Sequence, residues 1–364
     1  MSVVTVDAID SMIVSIPREV PYLGPLGPGE TINAKGYFVR RGNRTVYPSS
    51  DMSVIVKATA SDGTIGWGET YGIAAPQAVT ALIDDLLAPF VIGRAARDVA
   101  AIWQDLYDLQ RVRGASAGYY GDALAAIDIA LHDVAARSEG VSLREWLGGA
   151  GDVNRLPAYV SGLPKATLRE RIDLAREFVA RGFRAVKYAA PVAWDGVVEE
   201  MRALRSALGE DVDLMVDLHW RHSASEALAL IAQLAPFHPR FVEAPCAPED
   251  ITGLSTVAAS SPVAIAVGEE WHNVFEARWR LERAPIAVVQ PEMAHTGVTQ
   301  FCAIGRAAAQ HGAVTVPHAT IGAGIFLAAS LQASAALGGV PYHEYQPSIF
   351  DANLRHVETT MRCA

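Results

Sequence analysis

The sequence predicts an α/β fold in which a smaller N-terminal region of strands and helices precedes a parallel barrel of eight strands. Three observations support this prediction. The chain has 364 residues, which suits one large domain and a smaller companion. Strand-like alternation and then helical periodicity fill its first part. From about Leu156 onward, short apolar strands alternate with amphipathic helices at a spacing of about 26 residues, which is typical of βα units.

The composition is that of a well-packed globular protein. Apolar residues make up 51% of the chain and charged residues 19%. The formal net charge is -10, and no run of Lys and Arg offers a basic face to a phosphate backbone. We therefore expect no nucleic-acid partner.

We expect a cytoplasmic protein without disulfide bonds. The N-terminus carries no basic and then apolar export segment. The apolar stretch at residues 321–340 is interrupted by Gln332, serines and glycines, which favours a buried barrel helix over a membrane span. The cysteines are widely spaced and form no CxxC pair, as in a protein of a reducing compartment. They are Cys246, Cys302 and Cys363.

The N-terminal region begins as antiparallel strands. Residues 3–16 and 51–59 alternate as strands do, and Asp62-Gly63 is a hairpin turn into a third strand at 64–70. The Pro/Gly-rich segment at residues 20–50 is too long for a simple connection, and we interpret it as a candidate lid over a site. Helical periodicity follows at residues 78–87, 99–109 and 122–136.

The barrel is favoured over a doubly wound open sheet, because such a sheet usually carries a Gly-rich phosphate turn after its first strand and none follows Val160. No helix of ordinary length is expected after the eighth strand. The eight strands begin near Leu156, Phe183, Asp213, Arg240, Val263, Ile286, Ala313 and Pro341.

Three acidic residues end three successive predicted strands. Asp217, Glu243 and Glu269 are 26 residues apart in each case, or one βα unit. Strand ends of a barrel converge on one mouth, so we expect the three carboxylates to meet there. Without a cation they would repel one another, and oxygen ligands alone favour Mg²⁺, with Mn²⁺ as a substitute. The alternative is that each acid caps a helix or pairs with Arg or Lys.

The strand-end motifs are similar to those of a known family. They are AVKYA, MVDLHW, FVEAP, AVGEE, VVQPE and TVPHAT, together with DGTIGWGET and AAIDIALHDVAARSEGVSLREWLGG. In this set the chain resembles the mandelate racemase branch of the enolase superfamily over nearly its whole length.

The resemblance implies a modified TIM barrel, (β/α)7β, below an α+β N-terminal capping domain. We expect the cap at residues 1–120, the barrel at 121–345 and a C-terminal segment, 346–364, that returns toward the cap. It also implies magnesium at Asp217, Glu243 and Glu269, and a homo-oligomer such as a dimer or an octamer.

The acid and base groups also follow from the resemblance. Related enzymes use a seventh-strand His as base, oriented by a sixth-strand Asp, and these roles fall to His318 and Glu292. The usual Lys-x-Lys of the second strand has Lys187 first but Ala189 second, so the second base of racemases is missing. Lys187 is expected to neutralise the metal cluster or bind the substrate carboxylate, with a structural ion pair as the alternative.

His219 follows Asp217 by two residues and therefore faces the same way. This arrangement resembles the Asp-x-His of galactonate dehydratases, in which the His protonates a departing hydroxyl; the alternative is a packing or substrate-hydroxyl contact. Weaker candidates for contacts to substrate oxygens are His295, Glu344 and Arg221.

Together these residues predict a lyase, a magnesium-dependent dehydratase that converts a sugar acid to a 2-keto-3-deoxy acid. A cycloisomerase acting on a sugar-acid lactone or anhydro sugar, or an epimerase, would use nearly the same groups. A barrel that binds metal without turnover stays open as well, because Ala189 and Glu292 both depart from the usual acid and base set.

Overall fold

A computed structural model describes residues 3–151, 153 and 155–361 of the chain, so Cys363 lies outside the described residues. The N-terminal part contains a three-stranded antiparallel sheet in the order β1-β4-β5, followed by helices. Its strands are β1 (Val6–Pro17), β2 (Tyr37–Val39), β3 (Val46–Pro48), β4 (Ser50–Ala60) and β5 (Ile65–Tyr71). Its helices are α1 (Pro76–Ala81), a π-helical segment (Leu82–Leu87), α2 (Ala88–Val91), α3 (Val99–Arg111), α4 (Gly118–Ser138) and α5 (Leu143–Trp146).

The sheet packs on α4 through small residues of β5. A Cβ atom at Gly68 would lie 1.9 Å from the Ala126 carbonyl oxygen, so only glycine allows this approach of strand and helix. Helix α4 spans the predicted boundary between the cap and the barrel, which lies between residues 120 and 121. It contacts both β5 and the later helix of residues 293–310. It is therefore shared between the N-terminal part and the barrel.

The lid loop, residues 20–50, is more ordered than the sequence predicts. It includes the β2–β3 hairpin, which was missed because the two strands have three residues each. The Arg40 side chain is buried inside the loop, where it donates to the Pro25 carbonyl at 2.9 Å and to the Glu30 carboxylate at 2.8 Å. It also donates to the carbonyl of Tyr22 at 3.1 Å. One guanidinium thus satisfies several loop acceptors, as a buried charge requires.

Eight parallel strands form the barrel in the order β12-β11-β10-β9-β8-β7-β6-β13, which confirms the predicted fold class and all eight predicted strands. The two end strands approach each other, since the Glu344 amide donates to the Pro317 carbonyl at 3.4 Å. The strands are β6 (Ala158–Ser161), β7 (Ala185–Ala189), β8 (Asp213–Asp217), β9 (Phe241–Glu243), β10 (Ile265–Val267), β11 (Val288–Val289), β12 (Val314–Thr315) and β13 (His343–Tyr345).

Helices cover the outside of the barrel, and α13, which follows the eighth strand, has only seven residues. Two of the barrel helices begin at capping boxes, which are formed by Thr167 with Glu170 and by Ser223 with Glu226. The helices are α6 (Leu168–Ala180), α7 (Val197–Leu208), α8 (Ala224–Leu234), α9 (Ile251–Ser260), α10 (Val274–Leu281), α11 (Met293–Gln310), α12 (Ile325–Leu337) and α13 (Pro347–Asn353), with 3-10 turns at Ala190–Val192 and Ala235–Phe237. Among the described residues, no helix combines the length and apolar character needed to cross a membrane.

Glu69 of β5 joins the sheet to the barrel. Its carboxylate is fully buried and accepts from the backbone amides at the start of α12, including Gly324 at 3.1 Å and Ile325 at 2.7 Å. A carboxylate at a helix N-terminus satisfies amides that have no partner within the helix. Near the C-terminus, Arg355 lies 3.2 Å from Glu19, so the chain comes back to the end of β1.

Candidate active site

A cavity of about 260 Å³ lies at the carboxyl ends of the barrel strands. Tyr22 and Tyr47 of the lid loop line it, as does Tyr71 at the end of β5. Seven of the predicted site residues line it. They are Lys187, Asp217, His219, Glu269, His295, His318 and Glu344.

The strand register brings the predicted metal-binding acids together. Ala189, Asp217 and Glu243 are direct neighbours across β7, β8 and β9, and Glu269 follows β10. The Oε1 atom of Glu243 and the Oε2 atom of Glu269 are buried without a hydrogen-bond partner. Candidate ligand atoms of Glu243, Glu269 and His318 all lie within 4.8 Å of one another.

Asp217 does not belong to that group, because its two carboxylate oxygens face His219. The His219 backbone amide donates to Oδ1 at 2.8 Å, and the ring Nδ1 lies 2.8 Å from Oδ2. Both His219 and Trp220 have left-handed backbone conformations, with φ values of 51° and 54°. This turn directs the chain back over Asp217, and such strained conformations are common at binding sites.

The chemistry of the cluster suits a hard divalent cation. Burial raises the pKa of Glu269 well above its ordinary value, and the neighbouring Glu243 and Asp217 carboxylates act in the same direction. A cation at the unpartnered oxygens would relieve both effects and favour the ionised acids. Because the donors are mainly carboxylate oxygens, the set fits Mg²⁺ or Mn²⁺.

Lys187 is held as a cation between two acids. Its Nζ atom donates to Glu243 Oε2 at 2.7 Å and lies 3.2 Å from Glu344 Oε1. Burial lowers the pKa of Lys187, but Glu243 and Glu344 outweigh it and raise the pKa well above the ordinary value. Lys187 therefore carries a fixed positive charge beside the carboxylates and is unsuited to the role of a base.

His318 and Glu292 form the predicted imidazole–carboxylate pair. They are bridge partners at the ends of β12 and β11, and Nδ1 of His318 lies 2.7 Å from Oε2 of Glu292. The same Glu292 oxygen accepts from the Tyr71 hydroxyl at 2.8 Å, and Oε1 accepts from the Ala294 amide at 3.0 Å. Glu292 is fully buried, so these three donors fix its orientation.

The other ring nitrogen of His318 faces the carboxylates. Nε2 lies 3.2 Å from Glu269 Oε2 and 3.7 Å from Glu344 Oε2. Burial lowers the pKa of His318, but Glu269, Glu344 and Glu292 together raise it well above 6.5. A cation bound to Glu269 would weaken that effect, because it would neutralise the nearest negative charge.

Of the three weaker candidates for substrate contacts, two line the cavity and one does not. Glu344 and His295 line the cavity, and Glu344 accepts from the Ala319 amide at 2.8 Å. Arg221 does not line the cavity: its side chain is exposed and donates to the Gly42 carbonyl of the lid loop. It therefore contacts the lid rather than the predicted substrate position.

Several residues of the site were not predicted. Gln290 donates to Glu243 Oε2 at 2.9 Å, and strand alternation could have identified it, because it precedes Glu292 by two residues. Tyr71 and Asp122 lie in the N-terminal part and on α4, far along the chain from the residues that they contact. No spacing rule connects such distant positions.

The fold and the site define an α/β-barrel protein in which a buried carboxylate cluster that suits a divalent cation and an imidazole–carboxylate pair lie at one cavity. Residues 170–363 match the family model "Enolase C-terminal domain-like", and residues 45–148 match "Mandelate racemase / muconate lactonizing enzyme, N-terminal domain". The chain therefore belongs to the mandelate racemase branch of the enolase superfamily, as its strand-end motifs predict. Enzymes of this superfamily use Mg²⁺ to stabilise an enediolate.

The chain is similar to enzymes that act on sugar acids. It is 33% identical over 292 residues to D-galactarolactone cycloisomerase of Agrobacterium fabrum, a match of 78% of this chain and 75% of the relative. It is 31% identical over 299 residues to D-galactonate dehydratase of Xanthomonas euvesicatoria, covering 79% and 76%. The crystal structure of a member of the enolase superfamily from Agrobacterium tumefaciens is 53% identical, with a TM-score of 0.96 over 100% of this chain and 93% of that one.

Proposed function

We propose that this protein is a magnesium-dependent acid-sugar dehydratase. One observation carries the proposal: the cavity holds two imidazoles at opposite sides of the strand ring. His318 follows β12 and His219 follows β8, and three strands separate these two in an eight-stranded sheet. An elimination needs a base for the α-proton and an acid for the β-oxygen, and imidazoles on opposite sides can serve both.

The residues that would hold the magnesium ion are Glu243 and Glu269, whose carboxylates lie close together, and the adjacent Asp217, whose oxygens contact His219 in this structure. The substrate carboxylate belongs at this cluster. When bound there, the magnesium ion supplies positive charge to the substrate carboxylate oxygens as the α-proton leaves. Lys187 adds a fixed positive charge through its contact with Glu243. Lys187 thus favours the more negative transition state over the ground state, as an increase in rate requires.

His318 then takes the α-proton at Nε2. Its Nδ1–H donates to Glu292, which leaves Nε2 as the basic nitrogen on the side of Glu269 and Glu344. Glu292 stabilises the imidazolium that forms and keeps the ring in that tautomer. The Tyr71 hydroxyl holds the carboxylate in place.

His219 protonates the β-oxygen as the carbon–oxygen bond breaks. Its backbone is fixed by the turn over Asp217, and the side chain lines the cavity. The released oxygen leaves as water, and the remaining enol becomes the 2-keto-3-deoxy acid. Ala189 leaves the second-strand side without a base, which disfavours racemisation.

A cycloisomerase is the second candidate, because the 33% identical relative carries that activity. In this reaction the β-oxygen belongs to a ring and stays attached to the product. The same base and acid would act, and no water would be released.

A panel of sugar acids and their lactones, incubated with Mg²⁺ in heavy water, tests both candidates. A 2-keto acid formed from an open-chain acid supports the dehydratase, and one formed only from a lactone or anhydro sugar supports the cycloisomerase. Deuterium exchange without keto acid would indicate an epimerase. Magnesium binding without exchange on any substrate would contradict all three and favour a barrel without turnover.

A further inference from the structure

A second imidazole–carboxylate pair lies beside the cavity. The Nδ1 atom of His295 is 2.6 Å from Oδ1 of Asp122, and His295 lines the cavity while Asp122 is buried on α4. The Nδ1–H of His295 therefore points to the carboxylate, which leaves Nε2 as the nitrogen that can meet a ligand. Neither Glu292 nor His318 forms part of this pair.

The surroundings hold the pair in a fixed position. His272 places Nε2 3.3 Å from the same Asp122 oxygen, while its Nδ1 lies 3.0 Å from the Glu270 carbonyl. A Cβ atom at Gly121 would lie 2.3 Å from the His272 ring, so glycine allows α4 to come this close. The Tyr71 and His295 rings pack edge to face at a centroid distance of 4.8 Å.

Helix α4 also fixes the chain that carries His295. The Thr299 amide donates to Asp128 Oδ2 at 2.8 Å, next to Gly297, where α11 is interrupted by a residue with φ 64°. A Cβ atom at Gly297 would lie 2.7 Å from the same oxygen. Asp122 and Asp128 of one helix thus position the first turn of α11 and the imidazole on it.

The charges around His295 favour its protonated form. Burial lowers the pKa of His295, but Asp122 raises it, as does Glu292, while His318 opposes them, and the net shift is upward. Burial raises the pKa of Asp122, but His295 and His272 outweigh it, so the pKa of Asp122 falls. Both directions favour the imidazolium–carboxylate form of the pair, and the 2.6 Å contact places that proton at the cavity wall.

The proposed elimination requires a third proton transfer, and this inference rests on the proposed function. After His318 has taken the α-proton and His219 has given its proton to the departing oxygen, the product is still an enol. Conversion of the enol to the keto acid forms a carbon–hydrogen bond at the β-carbon and breaks the enol oxygen–hydrogen bond. The step is the same whether the departing oxygen is a hydroxyl or part of a ring.

We infer that His295, oriented by Asp122, donates its Nε2 proton to the β-carbon of the enol. The enol π electrons form the new carbon–hydrogen bond, the carbon–oxygen double bond forms at the α-carbon, and the enol oxygen loses its proton to water. That proton and the one held by His318 restore His219 and His295 through solvent, so no further reactant is needed. His295 is then a catalytic residue, and Asp122 is its positioning residue.

The stereochemistry of the product tests the inference. In heavy water, the magnesium-loaded wild-type protein should form a keto acid with deuterium in a single configuration at the β-carbon, because one fixed group delivers it. In His295→Asn and Asp122→Asn, the enol would be released and converted in bulk water, so deuterium should enter both configurations almost equally. His238→Asn is a matched control, because His238 pairs with Glu210 at 3.4 Å in an exposed position, and it should keep the single configuration.

Several results would overturn the inference. A wild-type product with both configurations, or variants that keep one, would exclude His295 as the donor. A substrate deuterated at the α-carbon and turned over in ordinary water tests whether His318 is the donor instead. Deuterium at the β-carbon of the product would assign protonation of the enol to His318. Because Asp122 is buried, the result for Asp122→Asn counts only if that variant folds. The His295→Asn variant tests the proton donor independently of Asp122→Asn. Absence of any keto acid would reject the proposed function and this inference with it, whereas the other results leave the function intact.

Discussion

His318 and Glu292 are joined across two adjacent strand ends by a contact of 2.7 Å between Nδ1 and Oε2. The family usually has Asp at the second position, and the longer Glu292 side chain is accommodated because the Tyr71 hydroxyl and the Ala294 amide hold it at 2.8 Å and 3.0 Å. The departure from the family pattern therefore preserves the tautomer of the histidine rather than removing its partner.

Replacing Glu292 with glutamine should slow removal of the α-proton by about 10²- to 10⁴-fold, the range of a general base. The amide cannot stabilise the imidazolium, and its NH₂ group can favour the wrong tautomer of His318. NMR in heavy water measures the rate of α-proton removal as the rate of deuterium exchange. The affinity for magnesium should be unchanged. Glu292→Asp keeps the charge and should retain more exchange than Glu292→Gln; equal rates in the two variants would contradict this role.

His219→Asn should separate the two halves of the reaction. The variant retains His318 and the carboxylate cluster, so exchange of the α-proton should continue, but the β-oxygen would lack its acid and keto acid formation should fall by about 10²-fold or more. Exchange and product are measured in the same NMR experiment. If exchange disappeared together with elimination, His219 would not be the acid for the leaving group.

The spacing of residues predicts the barrel and the three acids at its mouth, and the family resemblance predicts the acid and base groups beside them. Intervals of 26 residues between Asp217, Glu243 and Glu269 each equal one βα unit, so they place the three acids at the ends of three successive strands. The same interval between Glu292 and His318 places them as bridge partners. Local periodicity is sufficient here because parallel strands in a barrel have little freedom to shift.

Contacts that depend on tertiary packing could not be predicted in this way. The left-handed turn at His219 directs both oxygens of Asp217 to that residue, and nothing in the local sequence requires it. Asp122 meets His295 only because glycines allow α4 to approach the barrel. The lid loop folds around Arg40, whose partners are mostly backbone carbonyls and therefore leave no pattern of side chains.

Magnesium should bind with one ion per chain. Glu269→Gln should weaken this binding by at least about 10-fold, because the loss of a group that only orients a metal ligand already has an effect of this size. Removing magnesium with EDTA should abolish both exchange and elimination. Isothermal titration calorimetry gives the affinity. Glu270→Gln is the matched control, because this neighbouring acid also lines the cavity but should keep magnesium binding. Equal losses in the two variants would contradict Glu269 as a ligand.

Glu69→Gln should lower the free energy of unfolding by about 1–3 kcal/mol, the usual cost of leaving a buried donor without its acceptor. The carboxylate accepts several amides at the start of α12, and a neutral amide would be a weaker acceptor with one oxygen instead of two. Denaturation in urea measures the change, and Asp62→Asn, at an exposed turn of the same sheet, is the control. A loss no larger than that of the control would show that Glu69 does not stabilise this contact.

The stability of the lid loop should depend on pH through the ionisation of Glu30. Burial raises the pKa of Glu30, but the amides of Gly27 and Arg41 and the charge of Arg40 outweigh it, so the pKa in the folded loop lies below its ordinary value of about 4.3. A lowered pKa means that the ionised carboxylate stabilises the fold above about pH 4.3, and that this stabilisation is lost as pH falls through the folded-state pKa. Glu30→Gln removes the buried partner of Arg40 and should destabilise the loop by about 3 kcal/mol at neutral pH. Thermal unfolding and proteolysis of the loop, compared between the two proteins from neutral to acidic pH, should show a difference that narrows on acidification; a difference independent of pH would contradict ionisation of Glu30 as its cause.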